Sequence, residues 1–191
     1  MSIPLKKIIS GGQTGVDIAA LRAVRAYNEK SNSTIETGGY CPHNYMTCTG
    51  PNGELASFNL KEVNNGPLAE QYKMRSCLNV QLADATLAFR FKPSTGTDHS
   101  IAFATTSRWG PLRNCTLKNG EAMQSTYKPT CVITRLEGCT WSLLPDIRAF
   151  LLRYNVHTLN ICGHRDVCYE RAVQDFLEIL FHDLFKKENS Q

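Results

Sequence analysis

KKIISGGQTGVDIAALRAV, residues 6–24, is the stretch that decides how this chain is read, because its period changes from strand to helix across a glycine-rich turn. Lys7 to Ser10 is a short β-branched run suited to a buried parallel strand. From Val16 onward Ala19, Ala20, Ala23 and Val24 recur at helical spacing, with Asp17, Arg22 and Arg25 interleaved, which predicts a helix starting near Thr14. Between the two lie Gly11, Gly12, Gln13, Thr14 and Gly15. Glycines there allow positive φ and close approach of a ligand to the main chain. The unpaired amides of a helix start, with its dipole, favour an anion. Tight strand-to-helix turns also use glycine for purely steric reasons, so both readings stand at this point. The turn is neither a P-loop, since no Gly-Lys-Ser/Thr follows, nor a GxGxxG dinucleotide fingerprint.

Outward from this motif, strand and helix signals alternate. Thr34 to Thr37 predicts a second strand leading into a loop at Gly38-Gly39-Tyr40-Cys41-Pro42-His43, whose two glycines need special backbone geometry. Thr47 to Gly66 reads as a long ordered excursion. Pro67 opens a helix reaching about Ala83, with Arg75 and Asn79 on one face. Thr86 to Phe91 is a buried strand, and Lys92 to Ser100 is a second small-residue turn before another helix. Strands at Thr130 to Thr134 and His157 to Cys162 each have a helical apolar stripe beside them, Leu143 to Tyr154 and Val173 to Leu184. Trp109 to Lys128 reads as an irregular insertion. The alternation predicts one domain over residues 1–191, an α/β fold of Rossmann-like type: three layers, a mostly parallel central sheet and helices on both faces. Ligands of such sheets sit where strand-to-helix turns converge, and two turns of this kind point to one pocket.

Composition narrows the function. At 42% hydrophobic and 20% charged, the 191 residues have the make-up of an ordinary globular protein. A net charge of +4 assists an anionic ligand but is too small and scattered to predict nucleic-acid binding. No apolar leader or membrane-length run occurs, so a cytoplasmic protein without a membrane partner is expected, its eight cysteines as thiols. Cys41, His43 and Cys48 are soft donors, but their irregular spacing and the lack of a fourth partner give no metal-site prediction.

The chain resembles the family named as putative molybdenum cofactor carrier proteins, in the SLOG superfamily. The resemblance rests on Ser10 to Asp17 with Ala19-Ala20-Leu21, Gly38 to Pro42, Asn79-Val80 with Asp84, and Thr86-Leu87. It continues through Gly96-Thr97, Lys128-Pro129, and Leu159-Asn160 with Gly163 and Arg165. It implies a Rossmann-like fold, a pocket at the first glycine motif for a phosphate-bearing ligand, and a homo-oligomer. The molybdenum cofactor and a nucleotide are the candidate ligands. The predicted binding set is Gly11, Gly12, Gln13, Thr14, Gly15, Asp17, Gly38, Gly39, Gly96, Thr97 and Arg165. Asp17 has a bracing role as its alternative, and Arg165 a solvated surface position. Three positions depart from the family pattern: Ile18 stands where arginine is usual, Thr95-Gly96-Thr97 replaces Gly-Gly-Thr, and Cys162-Gly163-His164-Arg165 replaces Ala-Gly-Pro-Arg.

Two further functions compete. Phosphoribohydrolases of the same superfamily carry a glutamate where this chain has Ser100, which cannot serve as their general base, so Asp98 or His99 would have to substitute. A sensing role for Cys41 and His43 would need a lowered thiol pKa.

Overall fold

The computed structural model describes residues 3–105, 127–136 and 140–186. Its central sheet has the order β5-β2-β1-β8-β6-β7, from β1 (Lys7–Ile9), β2 (Glu36–Pro42), β5 (Leu60–Val63), β6 (Ala85–Phe89), β7 (Thr130–Ile133) and β8 (Thr158–Gly163). All five pairings are parallel. A separate antiparallel hairpin joins β3 (Met46–Thr47) to β4 (Gly50–Pro51).

Parallel strands need helical crossovers, and here these cover both faces of the sheet. On one face α1 (Val16–Ser31), α4 (Thr140–Arg153) and α5 (Glu170–Leu184) share a core with the strands, through Ile8, Val24, Phe89, Leu151, Leu159 and Phe181. On the other, α2 (Leu68–Leu82) and α3 (Thr95–Thr105) pack through Met74, Cys77, Val80, Phe103 and Ala104. This is the expected three-layer α/β arrangement. The uniformly buried Ala85–Phe89 run is why the central strands lack alternation.

Two expectations differ in detail. The Gly38 to Pro42 segment, read as a loop, is the second half of β2. Gly39 has φ 121°, and a Cβ there would lie 2.4 Å from the Ser10 carbonyl oxygen, so the strand pairs with β1 only because that residue is glycine. Asn79 then holds both backbone groups of Tyr40, accepting from its N–H at 2.7 Å and donating to its carbonyl at 3.1 Å. The excursion from Thr47 to Gly66 contains an edge strand, β5, which the sequence hides because its two central residues, Lys61 and Glu62, are exposed. Leu55 and Phe58 of the excursion pack against Ile18, Leu21 and Cys41. Asp84 caps the start of β8, accepting from the His157 and Thr158 amides at 2.9 and 2.8 Å. The expected insertion near 109–128 lies outside the described residues except for its last two. Among the described residues no helix is long and apolar enough to cross a membrane.

Candidate functional site

The order of connection across the sheet reverses at its middle: β1 leads outward to β2 and β5, while β6 leads the other way to β7. The carboxyl ends of β1, β8 and β6 therefore open onto a crevice, the place where sheets of this kind accept ligands. A cavity of about 720 Å³ lies there. Its walls are Tyr72, Lys73, Arg75 and Ser76 of α2, the Lys92 to Thr97 turn with His99 and Ser100, and the Cys162 to Asp166 turn, with Gln13 and Asp17 beneath.

The first glycine turn is stitched to the protein. The Gln13 N–H donates to Asp17 Oδ2 (3.3 Å), Thr14 N–H to Gln13 Oε1 (3.3 Å), Gly15 N–H to Glu170 Oε1 (2.9 Å) and Val16 N–H to the His164 carbonyl (2.9 Å). Thr14 Oγ1 donates to the Arg165 carbonyl at 2.6 Å. Glu170 is fixed in turn by Arg22 at 3.1 Å, and Arg22 also pairs with Glu54 at 2.6 Å. Gly15 has φ 77°, and a Cβ on it would fall 2.1 Å from the His164 oxygen. Asp17 is buried and pairs with Arg75 Nη1 at 2.7 Å. Burial pushes its carboxyl above the usual range, and Arg75 and the neighbouring amides hold that rise back.

The second turn is built differently. Ser94 accepts from the Thr97 hydroxyl at 3.1 Å and from its N–H at 3.5 Å, and Asp98 is ion-paired with Arg90. Around Gly96 there is open space, with nothing within 4 Å of where a Cβ would stand. The last turn is tied to the second: His164 Nε2 accepts from the Lys92 N–H at 3.2 Å and Lys92 Nζ pairs with Asp166 at 3.1 Å. Burial, then the Lys92 charge, lowers the His164 pKa, so the ring is the neutral acceptor this bond requires.

Of the expected residues, Gln13, Asp17, Gly96, Thr97 and Arg165 line the cavity. Gly11, Gly12, Thr14 and Gly15 shape the turn beneath it, and Gly38 and Gly39 lie behind it in β2. Sequence reasoning put Arg75 on a helix face with Asn79 but assigned neither it nor Tyr72, Lys73 and Ser76 to the site. Ala69, Tyr72, Lys73 and Ser76 recur at i, i+3, i+4 and i+7, a helical stripe of small and polar side chains that could have marked this wall. Asp98 does not line the cavity, and the Ser100 hydroxyl donates to the Gly96 carbonyl at 3.2 Å, so neither supplies the carboxylate a phosphoribohydrolase needs. Cys41 is buried, its thiol pushed up to about 12 by burial and by Glu62, the reverse of an activated sensor thiol.

The profile described as Circularly permutated YpsA SLOG family matches residues 8–182. The chain belongs to this family. The SLOG assignment agrees with the resemblance carried by the glycine motifs. This SLOG-family chain is also similar to a solved structure, "Putative molybdenum carrier protein" from Syntrophus aciditrophicus SB, at 25% identity and a TM-score of 0.68, covering 94% of this chain and 97% of that one. No curated protein matches the chain.

Proposed function

We propose that this SLOG-family protein binds and carries a small phosphate-bearing ligand in the cavity between α2 and the turns after β6 and β8. The observation that supports this is a surplus of positive charge. Among the lining cations Arg75 is paired with Asp17 and Lys92 with Asp166. Lys73 and Arg165 make no ion pair among the described residues, and both are exposed at the cavity. Among the described residues no acceptor meets the Thr95 and Gly96 amides at the start of α3 beside them. The two cations and the free amides form the donor set that a phosphate or a comparable oxoanion requires, whereas the Thr97 and Ser76 hydroxyls already donate to Ser94 and to the Tyr72 carbonyl.

The neighbour's name makes the molybdenum cofactor a candidate cargo, and a nucleotide is the other. The donor set suits the anionic end of either, and the cavity volume falls in the range of small-molecule sites. Carriage of a ligand, with self-association as the resemblance implies, is tested by native mass spectrometry of the gently purified protein, which reads assembly mass and bound mass together. Titration calorimetry then tests the residues. Lys73→Ala and Arg165→Ala are each expected to weaken binding of a nucleoside monophosphate or molybdate by about ten-fold or more, the scale of one charge-assisted hydrogen bond. No saturable binding of nucleotides, pterin phosphates or molybdate would overturn the proposal.

A further inference from the structure

In the first turn the protein occupies the amides from Gln13 to Val16, so its glycines make room for something other than a ligand on those amides. At Gly11 it is a side chain. A Cβ there would sit 1.3 Å from Arg75 Nη1 and 2.3 Å from its Cζ, so the guanidinium lies in the space that glycine vacates. Nη1 donates to Asp17 Oδ2 at 2.7 Å. Nη1 is the nitrogen on the same side as Cδ, so this bond leaves the opposite edge of the guanidinium, Nε and Nη2, whose hydrogens point in parallel. Among the described residues that edge has no protein partner: Nε is buried without a hydrogen bond, and no acceptor meets Nη2. Arg75 itself lines the cavity.

We infer that Arg75 is the receptor for the ligand's oxoanion: bedded on Gly11 and anchored by Asp17, it offers its Nε and Nη2 edge to two oxygens of a tetrahedral oxoanion, free or as a phosphate ester. The inference rests on the reading of the cavity as an anion site. A buried N–H without an acceptor costs free energy that a ligand oxygen recovers, and two parallel N–H groups match the spacing of two oxoanion oxygens, a geometry an ammonium cannot reproduce. The Asp17 carboxylate does not cancel the attraction, because it fixes the guanidinium from the far side while Lys73 and Arg165 keep the cavity positive. Since Nε is buried, an oxygen reaches it as the guanidinium swings toward the cavity about its Nη1 bond to Asp17.

The test uses the full chain with inorganic phosphate, molybdate and adenosine monophosphate as probes. Affinities are measured for the wild type and Arg75→Lys, which keeps a cation beside Asp17 but lacks the fork. In parallel, the Arg75 Nε–H signal is followed by NMR on arginine labelled with nitrogen-15. The expected result is a loss of at least ten-fold in affinity for Arg75→Lys and, in the wild type, a shifted and exchange-protected Nε–H signal when the probe binds. Binding of phosphate or molybdate marks a free oxoanion as the ligand; binding of the nucleotide alone marks an ester, and either supports the inference. If the wild type binds, Arg75→Lys binds within two-fold and the Nε–H signal stays still, Arg75 is only a brace and the anion site stands without it. If Arg75→Lys fails to fold, the wild-type Nε–H signal decides alone. If no probe binds the wild type, the anion reading and the inference fall together.

Discussion

The turns after β1 and β6 look alike in sequence, glycine with threonine between a buried strand and a helix, yet they have opposite fates. In the first, the amides from Gln13 to Val16 are each taken by a protein acceptor, including the Glu170 carboxylate from the far end of the chain. In the second, Gly96 faces open space and the cavity. A glycine-rich helix start therefore announces that something anionic or bulky is accommodated, without saying whether it is a ligand or part of the protein. Here a glutamate and an arginine fill the first turn.

The largest effect expected from this contrast is on the packed side. Gly15→Ala places a methyl group 2.1 Å from a carbonyl oxygen at positive φ, and denaturant unfolding is expected to show a loss of about 3 kcal/mol. A loss below about 1 kcal/mol would mean the first turn is looser than its hydrogen bonds imply. Next comes the internal anion. Glu170→Ala removes the acceptor of the Gly15 N–H and one partner of Arg22, for a loss of about 1–2 kcal/mol in the same assay.

The seam between the last turn and the second should respond to pH. His164 has its folded pKa below the ordinary value of 6.5, so its contribution to stability is complete above that value and is lost as pH falls through the folded pKa, where the ring gains a proton and can no longer accept from Lys92. Stability of the wild type is expected to drop from pH 7 toward pH 5 more steeply than that of His164→Gln. Parallel curves would remove His164 from the seam. The smallest effect belongs to the open turn: Gly96→Ala meets no atom within 4 Å and lies in the first turn of α3, so stability is expected to stay level or rise by up to about 1 kcal/mol. Weakened nucleotide or molybdate binding in that stable variant would separate the two turns most clearly.

Much of the fold was legible because burial imposes period. The helices of residues 16–31 and 170–184 and the buried strands at 7–9, 85–89 and 158–163 each carry the spacing their packing demands. β5 escaped because an edge strand with Lys61 and Glu62 exposed has no buried period to read, and the second half of β2 escaped because two adjacent glycines are also a loop signal. The candidate site was half legible. Turns announce themselves through glycine and threonine, but the α2 wall consists of ordinary helix residues whose meaning lies in what faces them.

The sequence by itself determined the alternation of strand and helix, the two glycine turns and their convergence at one end of a parallel sheet, since periodicity and φ requirements are local. Only the tertiary structure decided which turn stays open. That outcome depends on Arg75, His164 and Glu170, which lie far along the chain from Gly11 and Gly15 and become their neighbours only when the sheet assembles. Hydrogen bonds and steric exclusion act over a few ångströms of space, whatever the distance along the chain.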